Sequence, residues 1–415
     1  MSLLRRLSPG ALPTTRRVAV DQQTLEAASR IVDDVRRNGE AGLRTHAERL
    51  GDLKPGAPLL VDRDGLRAAY EASSAFEQSL LQRTAERVRR FAVAQRATLN
   101  DLSVAVEGGI AGHTIRPVER AGCYAPGGRF PLPSSVLMTA VTARTAGVQS
   151  IIVASPRPAR VTLAAAHVAD ADGLLVVGGA QAIAALAYGA GPVLACDVIV
   201  GPGNRWVTAA KQLVSGHVGI DMLAGPSELV ILADGDADAE LVAADLLAQA
   251  EHDPDALPIL VTTSSDLTIR VEAALEAQLA TLPTADTARP ALSNGFVVEC
   301  PSLEVAITVC DALAPEHLEV LTVNAAALRD RFANYGGLFL GAGAAEVLGD
   351  YGAGPNHVLP TGGTARFVGG LSVFTFLRIR TFLTMTDPRM LAIDAAALAR
   401  LEGLEGHARA ADRRS

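Results

Sequence analysis

Seven short runs of β-branched and aliphatic residues restrict what this chain can fold into: SIIVAS (150–155), GLLVVGG (173–179), DVIVGPG (197–203), ELVILAD (228–234), PILVTTS (258–264), GFVVEC (295–300) and HLEVLTV (317–323). Each is apolar without a break rather than alternating, so each needs cover on both faces of its sheet. The sequence between them has helical character, and strands joined through helices run parallel. A mostly parallel α/β protein is the expectation, and the number of runs fits two sheets better than one. Composition agrees: 49% hydrophobic but only 4% aromatic residues, with 38 Gly, describes an Ala-, Val- and Leu-rich α/β chain rather than a β-sandwich or a disordered one. With 415 residues there is length for two or three domains and a large core.

The net charge of −8 argues against a nucleic-acid partner, which needs a basic surface. Cys123, Cys196, Cys300 and Cys310 form no C-x-x-C pair, and a reduced cytoplasm is the simpler reading. The opening MSLLRRLSPGALPTTRR has no apolar run of signal-peptide length. The apolar stretch 174–200 is interrupted by Gly178-Gly179, Gln181, Gly189, Gly191 and Asp197, so it reads as buried strand–helix–strand and not as a membrane span. Residues 22–49 and 64–99 have polar helical spacing, with turn residues in Leu53–Pro58.

No G-x-G-x-x-G follows any strand; Gly201-Pro202-Gly203 and Gly341-Ala342-Gly343 both lack the third glycine, so the ordinary dinucleotide fingerprint is absent. Two strand-to-helix turns, in CYAPGGRFPLPSSVLM (123–138) and GPGNRWVTAAK (201–211), end where free N–H groups can hold phosphate, although ordinary tight turns account for them nearly as well.

The segment 236–255 spaces Leu241, Val242, Leu246, Leu247 and Ala250 as a helix that should stop at Asp253-Pro254. Gln249 and His252, three apart, then project from one face and could reach one cation. Any one of His252, His317, His357 and His407 alone reads best as a surface or structural histidine. Taken together with Gln249 and with Asp350 in a glycine-rich loop, they supply N and O donors that suit Zn²⁺. Adjacent Glu316 and His317 could divide two proton-transfer tasks, and an exposed loop dipeptide is an equal account. Asp394–Arg413 reads as one terminal helix with an Asp N-cap, carrying Glu402 and His407 about 140° apart around its axis, and is a natural subunit-contact element.

The runs YAPGGRFPLPSSVLM, GGAQAIAALAYG, GPGNRWVTAAKQLVSGHVGIDMLAGPSELVILAD, DLLAQAEHDPDA, APEHLEV, GDYGAGPNHVLPTGGTARF and EGLEGHARA resemble histidinol dehydrogenase, in that family's order, from about residue 115 to the C-terminus. The first hundred or so residues are similar only in general character. The resemblance implies a zinc-containing, NAD-dependent enzyme of histidine biosynthesis that oxidises L-histidinol through the aldehyde to L-histidine, reducing two NAD⁺. Matched motif to motif, it implies Gln249, His252 and Asp350 as zinc ligands, with His407 reaching in from the second subunit of a homodimer. Glu316 and His317 match the proton-transfer residues; Ser227, His317, Asp350, Glu402 and the zinc ligands match substrate contacts; Tyr124, Gln181 and Asn204 match NAD contacts.

It further implies two Rossmann-like, incomplete and mostly parallel sheet domains: an extension at 1–16, a discontinuous domain of 17–123 plus 229–371, an insert at 124–228, and a helical dimerisation tail at 372–415. The segment 369–385 differs from the family's usual form, and Phe130 and Arg205 occupy variable-looking positions. Two other readings stay open. A relative on the same scaffold could oxidise another small polar alcohol, such as a dihydroxypropane sulfonate, although His357, Glu402 and His407 favour an imidazole-and-amine substrate. A zinc hydrolase could use the same ligands with Glu316 as base, leaving the two nucleotide-style turns unexplained; a non-catalytic assembly protein gives no reason for the ligand set.

Overall fold

A computed structural model describes residues 3–12, 19–127 and 131–415 of the chain. Its strands in chain order are β1 (Arg5–Leu7), β2 (Leu60–Asp62), β3 (Leu102–Val106), β4 (Gly109–Pro117), β5 (Arg120–Tyr124), β6 (Ser150–Ala154), β7 (Gly173–Leu175), β8 (Val198–Val200), β9 (Gly219–Ile220), β10 (Glu228–Ala233), β11 (Leu257–Thr262), β12 (Phe296–Glu299), β13 (His317–Leu321), β14 (Gly337–Leu340) and β15 (Leu377–Met385). Sheet one has the order β2-β7-β6-β5-β8-β9 and is parallel except where β2 pairs with β7. Sheet two, β1-β12-β11-β10-β13-β14, is parallel throughout. All seven expected runs form strands of these two sheets.

The unbroken apolar character of those runs has the expected consequence: every residue of β10, β11 and β13 is buried. Helices Ala239–Ala250, Ser265–Leu279 and Ala285–Asn294 cover one face of sheet two, with Leu246, Val271 and Leu292 in their core, and Leu303–Leu313 covers the other. On sheet one, the helix Gly179–Tyr188 buries eight of its residues, Ala180 to Ala187, in sequence. Its run of alanines leaves room for the helices Gln22–Arg49 and Arg205–Val214 to pack closely on either side.

Strand pairing groups the N-terminal third differently from the expected 17–123 plus 229–371 unit. β2 and β5 are strands of sheet one, and helix Gln22–Arg49 packs there through Ala28, Val32, Val35 and Leu43. β1, inside the expected 1–16 extension, is the edge strand of sheet two, with Leu4 buried beside it. The physical cause is that β5, an apolar strand, lies at the centre of sheet one between β6 and β8.

The region beyond residue 371 is not helical from its start. β15 pairs antiparallel with β4 along its whole length, from Leu377 opposite Pro117 to Met385 opposite Gly109, completing the three-stranded sheet β15-β4-β3. Two helices, Arg389–Leu401 and Glu405–Asp412, replace the single expected helix. The first begins before Asp394 because Asp387 accepts from the Arg389 N–H (3.4 Å) and pairs with its guanidinium. It ends at Gly403, whose φ of +75° suits glycine. Among the described residues, no helix is long and apolar enough to cross a membrane.

Candidate active site

In sheet one the chain passes from β5 outward to β6 and β7, then returns to the other side of β5 as β8 and β9. The loops leaving β5 and β8 therefore diverge and open a crevice at the strands' carboxyl ends, where α/β sheets bind ligands. Tyr124 ends β5, and Asn204 follows β8 as the N-cap of Arg205–Val214, its Oδ1 accepting from the N–H groups of Trp206 and Val207 (3.1 and 3.3 Å). Tyr124 and Gln181 are buried side by side: Gly179 N–H donates to the Tyr124 hydroxyl (3.2 Å), and Gln181 Nε2 donates to Asp52 (3.1 Å). The Gln181 Oε1 has no partner. Residues 128–130 of the 123–138 turn, Phe130 among them, lie outside the described residues.

Facing this crevice are the amino ends of sheet two. Ser227 precedes β10, Glu316 precedes β13, and His317 is the first residue of β13. The two edges enclose a cleft of about 770 Å³ whose walls include Asn204 and Arg205 on one side and Ser227, Glu316, His317 and His357 on the other.

The cation-type donors converge at one end of it. His252, Glu346 and Asp350 each offer a ligand atom, all within 4.8 Å of one another. His252 Nε2 is 3.7 Å from both Glu346 Oε1 and Asp350 Oδ2. Gln249, wholly buried, places one terminal amide atom 2.9 and 3.1 Å from the two Glu346 oxygens. As an NH₂ group that atom donates to both; as an oxygen it needs a cation or proton between the acceptors. The helix carrying Gln249 ends at Ala250, a few residues before Pro254, and in the turn that follows Asp253 accepts from the Asp255 N–H (2.9 Å). His252 lies beyond the helix end.

Glu346 is the member that sequence reasoning missed. The signal was present: Glu346 and Asp350 are four apart in AEVLGD and share one face of the short helix Glu346–Asp350. Burial and neighbouring carboxylates hold Glu346 well above the ordinary carboxyl range, and burial raises Asp350 to about 6 against the opposing pull of His252. Repelling acids packed together with an imidazole and an amide are a donor set fit for a divalent ion. His407 and Glu402 stand apart, exposed on the C-terminal helices and outside the cleft lining of their own chain.

Glu316 and His317 are both buried, so they are not an exposed dipeptide. Burial lifts the Glu316 carboxyl well above its usual range, while the Glu228 N–H (3.0 Å) and the Ser227 hydroxyl oppose the shift. Burial lowers His317 to about 3, so the ring is neutral at pH 7. Its Nδ1 lies 3.2 Å from the Glu228 carbonyl, which can only accept, so Nδ1 carries the hydrogen. The bare Nε2, without a hydrogen-bond partner, lies 3.8 Å from Asp350 Oδ1. His357 donates from Nδ1 to the Asp350 carbonyl (2.9 Å), and burial lowers its pKa.

A mostly parallel two-sheet body, a switch-point crevice and a neutral buried imidazole beside a cation-type cluster describe an α/β enzyme with a metal-type site facing a ligand crevice. The family model of histidinol dehydrogenase matches residues 14–415. The chain is 46% identical to the histidinol dehydrogenase of Thermus thermophilus over 403 residues, covering 96% of each chain, and 46% identical to that of Prochlorococcus marinus over 396 residues, covering 93% of this chain and 89% of the other. The crystal structure of histidinol dehydrogenase from Elizabethkingia anophelis superposes with a TM-score of 0.92 at 31% identity, covering 100% of this chain and 98% of that one. The chain belongs to the histidinol dehydrogenase family. Its likeness to a betaine aldehyde dehydrogenase from Staphylococcus aureus, with a TM-score of 0.52 at 12% identity over 93% of this chain and 96% of that one, is one of fold alone.

Proposed function

We propose that this chain oxidises L-histidinol to L-histidine in two successive steps with NAD⁺. The observation that carries the reading is the buried Glu316–His317 pair, with the bare His317 Nε2 beside Asp350, set opposite the crevice between β5 and β8. In the first step the His317 Nε2 accepts the substrate hydroxyl proton, and the Nδ1–H bond to Glu228 holds the ring in the tautomer this requires. In the second, the Glu316 carboxylate takes a proton from the water that adds to the aldehyde carbon. A neighbouring cation would oppose the burial that keeps this carboxyl protonated. Ser227 and the Glu228 N–H orient Glu316 for that task. Holding the aldehyde in the enclosed cleft between the two steps excludes side reactions.

Gln249, His252 and Asp350, with Glu346 adjoining, are the residues of this chain that would hold Zn²⁺, whose contribution when bound is to fix the substrate's imidazole and amine. NAD⁺ supplies hydride acceptance, and Tyr124, Gln181 and Asn204 are its proposed contacts at the carboxyl edge of sheet one. The tail supports a homodimer: Ile379, Leu383, Ile393, Leu398 and Leu401 on β15 and the helix after it are exposed at 55–86%, more apolar surface than a free tail warrants. In such a dimer His407 of the partner subunit would complete the ligand set and Glu402 of the partner subunit would meet the substrate ammonium. The four free, buried thiols suit a reducing cytoplasm.

Zinc-loaded protein given limiting L-histidinol and excess NAD⁺ should form two NADH per histidinol, with L-histidine as product. Turnover of a different small alcohol with none of histidinol would select the other substrate reading, and hydrolysis without NADH would select the hydrolase.

A further inference from the structure

The proposed chemistry leaves one buried charge pair unused. Lys211, on the helix Arg205–Val214, and Asp221, just after β9, form an ion pair with side-chain exposures of 3% and 1%. Two charges taken out of water give little net stability, and apolar residues of similar volume often serve as well. The pair's other contacts suggest why it is kept, because they close on a single residue. Asp221 Oδ2 accepts from the Gly201 N–H (2.7 Å), and Lys211 Nζ donates to the Gly201 carbonyl (3.1 Å). Gly201 has a φ of +115°, and a Cβ there would overlap the Tyr124 carbonyl oxygen at the end of β5. A residue that must be glycine, pressed against the neighbouring strand, is thus gripped by both of its polar groups. It opens the turn that leads to Asn204, in the crevice between β5 and β8.

The grip extends toward the other wall. Asp221 Oδ1 accepts from the Met222 N–H (2.6 Å), the Ala224 carbonyl accepts from Thr208 Oγ1 (2.9 Å), and the Gly225 N–H donates to Thr361 Oγ1 (2.6 Å). This strap ends at Ser227, beside Glu316.

We propose that Lys211 and Asp221 are positioning residues for the dinucleotide: by holding the Gly201 backbone they fix the 201–204 turn on which NAD⁺ lies. The inference rests on the assignment of NAD⁺ to this crevice. Trp206, the single tryptophan of the chain, sits two residues beyond Asn204 and reports binding by its fluorescence. In Lys211→Met/Asp221→Leu, which removes both partners of Gly201 without stranding a charge, the NAD⁺ dissociation constant and KM should rise about tenfold or more. Zinc content should stay as in wild type, and the histidinol KM should change far less than the NAD⁺ constants. Lys211→Met/Asp221→Asn, which keeps an acceptor for the Gly201 N–H, should recover part of the lost affinity. A folded Met/Leu protein that binds NAD⁺ within about twofold of wild type, or that loses histidinol and NAD⁺ affinity equally, overturns the proposal. Should that protein not fold, the Met/Asn protein decides by the same split between the nucleotide and histidinol constants. Wild-type protein that binds no NAD⁺ removes the crevice assignment itself, and the positioning role with it.

Discussion

On the wall that sheet one gives to the cleft, the groups in reach are a glycine-opened turn, a helix N-cap and the exposed Arg205, with the buried charges of Lys211 and Asp221 turned inward onto backbone. On the wall from sheet two they are carboxylates and imidazoles: Glu316, His317, Glu346, Asp350, His252 and His357. The first wall neutralises its buried charges internally and offers shape, as suits an extended ligand held over many contacts. The second concentrates acids whose protonation is pushed far from ordinary values and so keeps its charge balance open to what binds there. Substitutions on the second wall should therefore act on chemistry and metal, and those on the first on nucleotide binding.

The hardest test of that division is at the base pair. His317→Asn should lower kcat by about 10²–10⁴-fold in the first oxidation, because it removes the bare Nε2 proposed to take the hydroxyl proton. Glu316→Gln should instead leave the first NADH fast and slow the second by a similar order. Rapid-mixing NADH traces read both; indistinguishable traces from the two variants would refute the division of labour. A smaller loss is expected at the cation cluster. Glu346→Gln should weaken zinc binding by about 10–100-fold in competition with a chelator, with NAD⁺ affinity unchanged. A variant that keeps wild-type zinc affinity would show that Glu346 merely seats the Gln249 amide.

How far each wall could be foreseen follows from the kind of signal each carries. The strands were legible because each must be apolar on both faces, and β6, β10 and β13 form where those runs lie. The acid–imidazole pair and the Gln249/His252 spacing were legible because the donors stand close in sequence. Glu346 was overlooked although its spacing from Asp350 could have revealed it. Asp221 and Lys211 were not legible as partners, since their role depends on a Gly201 backbone conformation fixed only when β5 and β8 pair. β15 was missed because its partner β4 lies more than two hundred residues away and most of the strand is exposed, leaving no burial pattern to mark it. The break at Gly403 likewise replaced one long helix by two.

The smallest expected effect concerns stability, and it sharpens the contrast by asking how the second wall tolerates its acids. Beneath the cluster, Glu319 on β13 accepts from the Glu346 N–H (2.5 Å) and faces Asp245, both carboxyls being buried. Burial, then the Asp245 charge, raises Glu319 from 4.5 to about 8, and burial also raises Asp245. A raised carboxyl pKa means that between about 4.5 and about 8 the folded protein keeps a proton that the unfolded chain has released. Stability from this site is therefore full below the unfolded value and declines as pH rises through that window. Glu319→Gln keeps an acceptor for the Glu346 N–H and removes the titration. Metal-free Glu319→Gln should thus gain on wild type as pH goes from 5 to 8, by on the order of 1 kcal/mol because Asp245 takes up part of the proton. Urea unfolding at the two pH values measures it. Parallel stability curves for the two proteins would mean that the Asp245–Glu319 pair is already ionised in the fold, and that the second wall is held together by something other than shared protons.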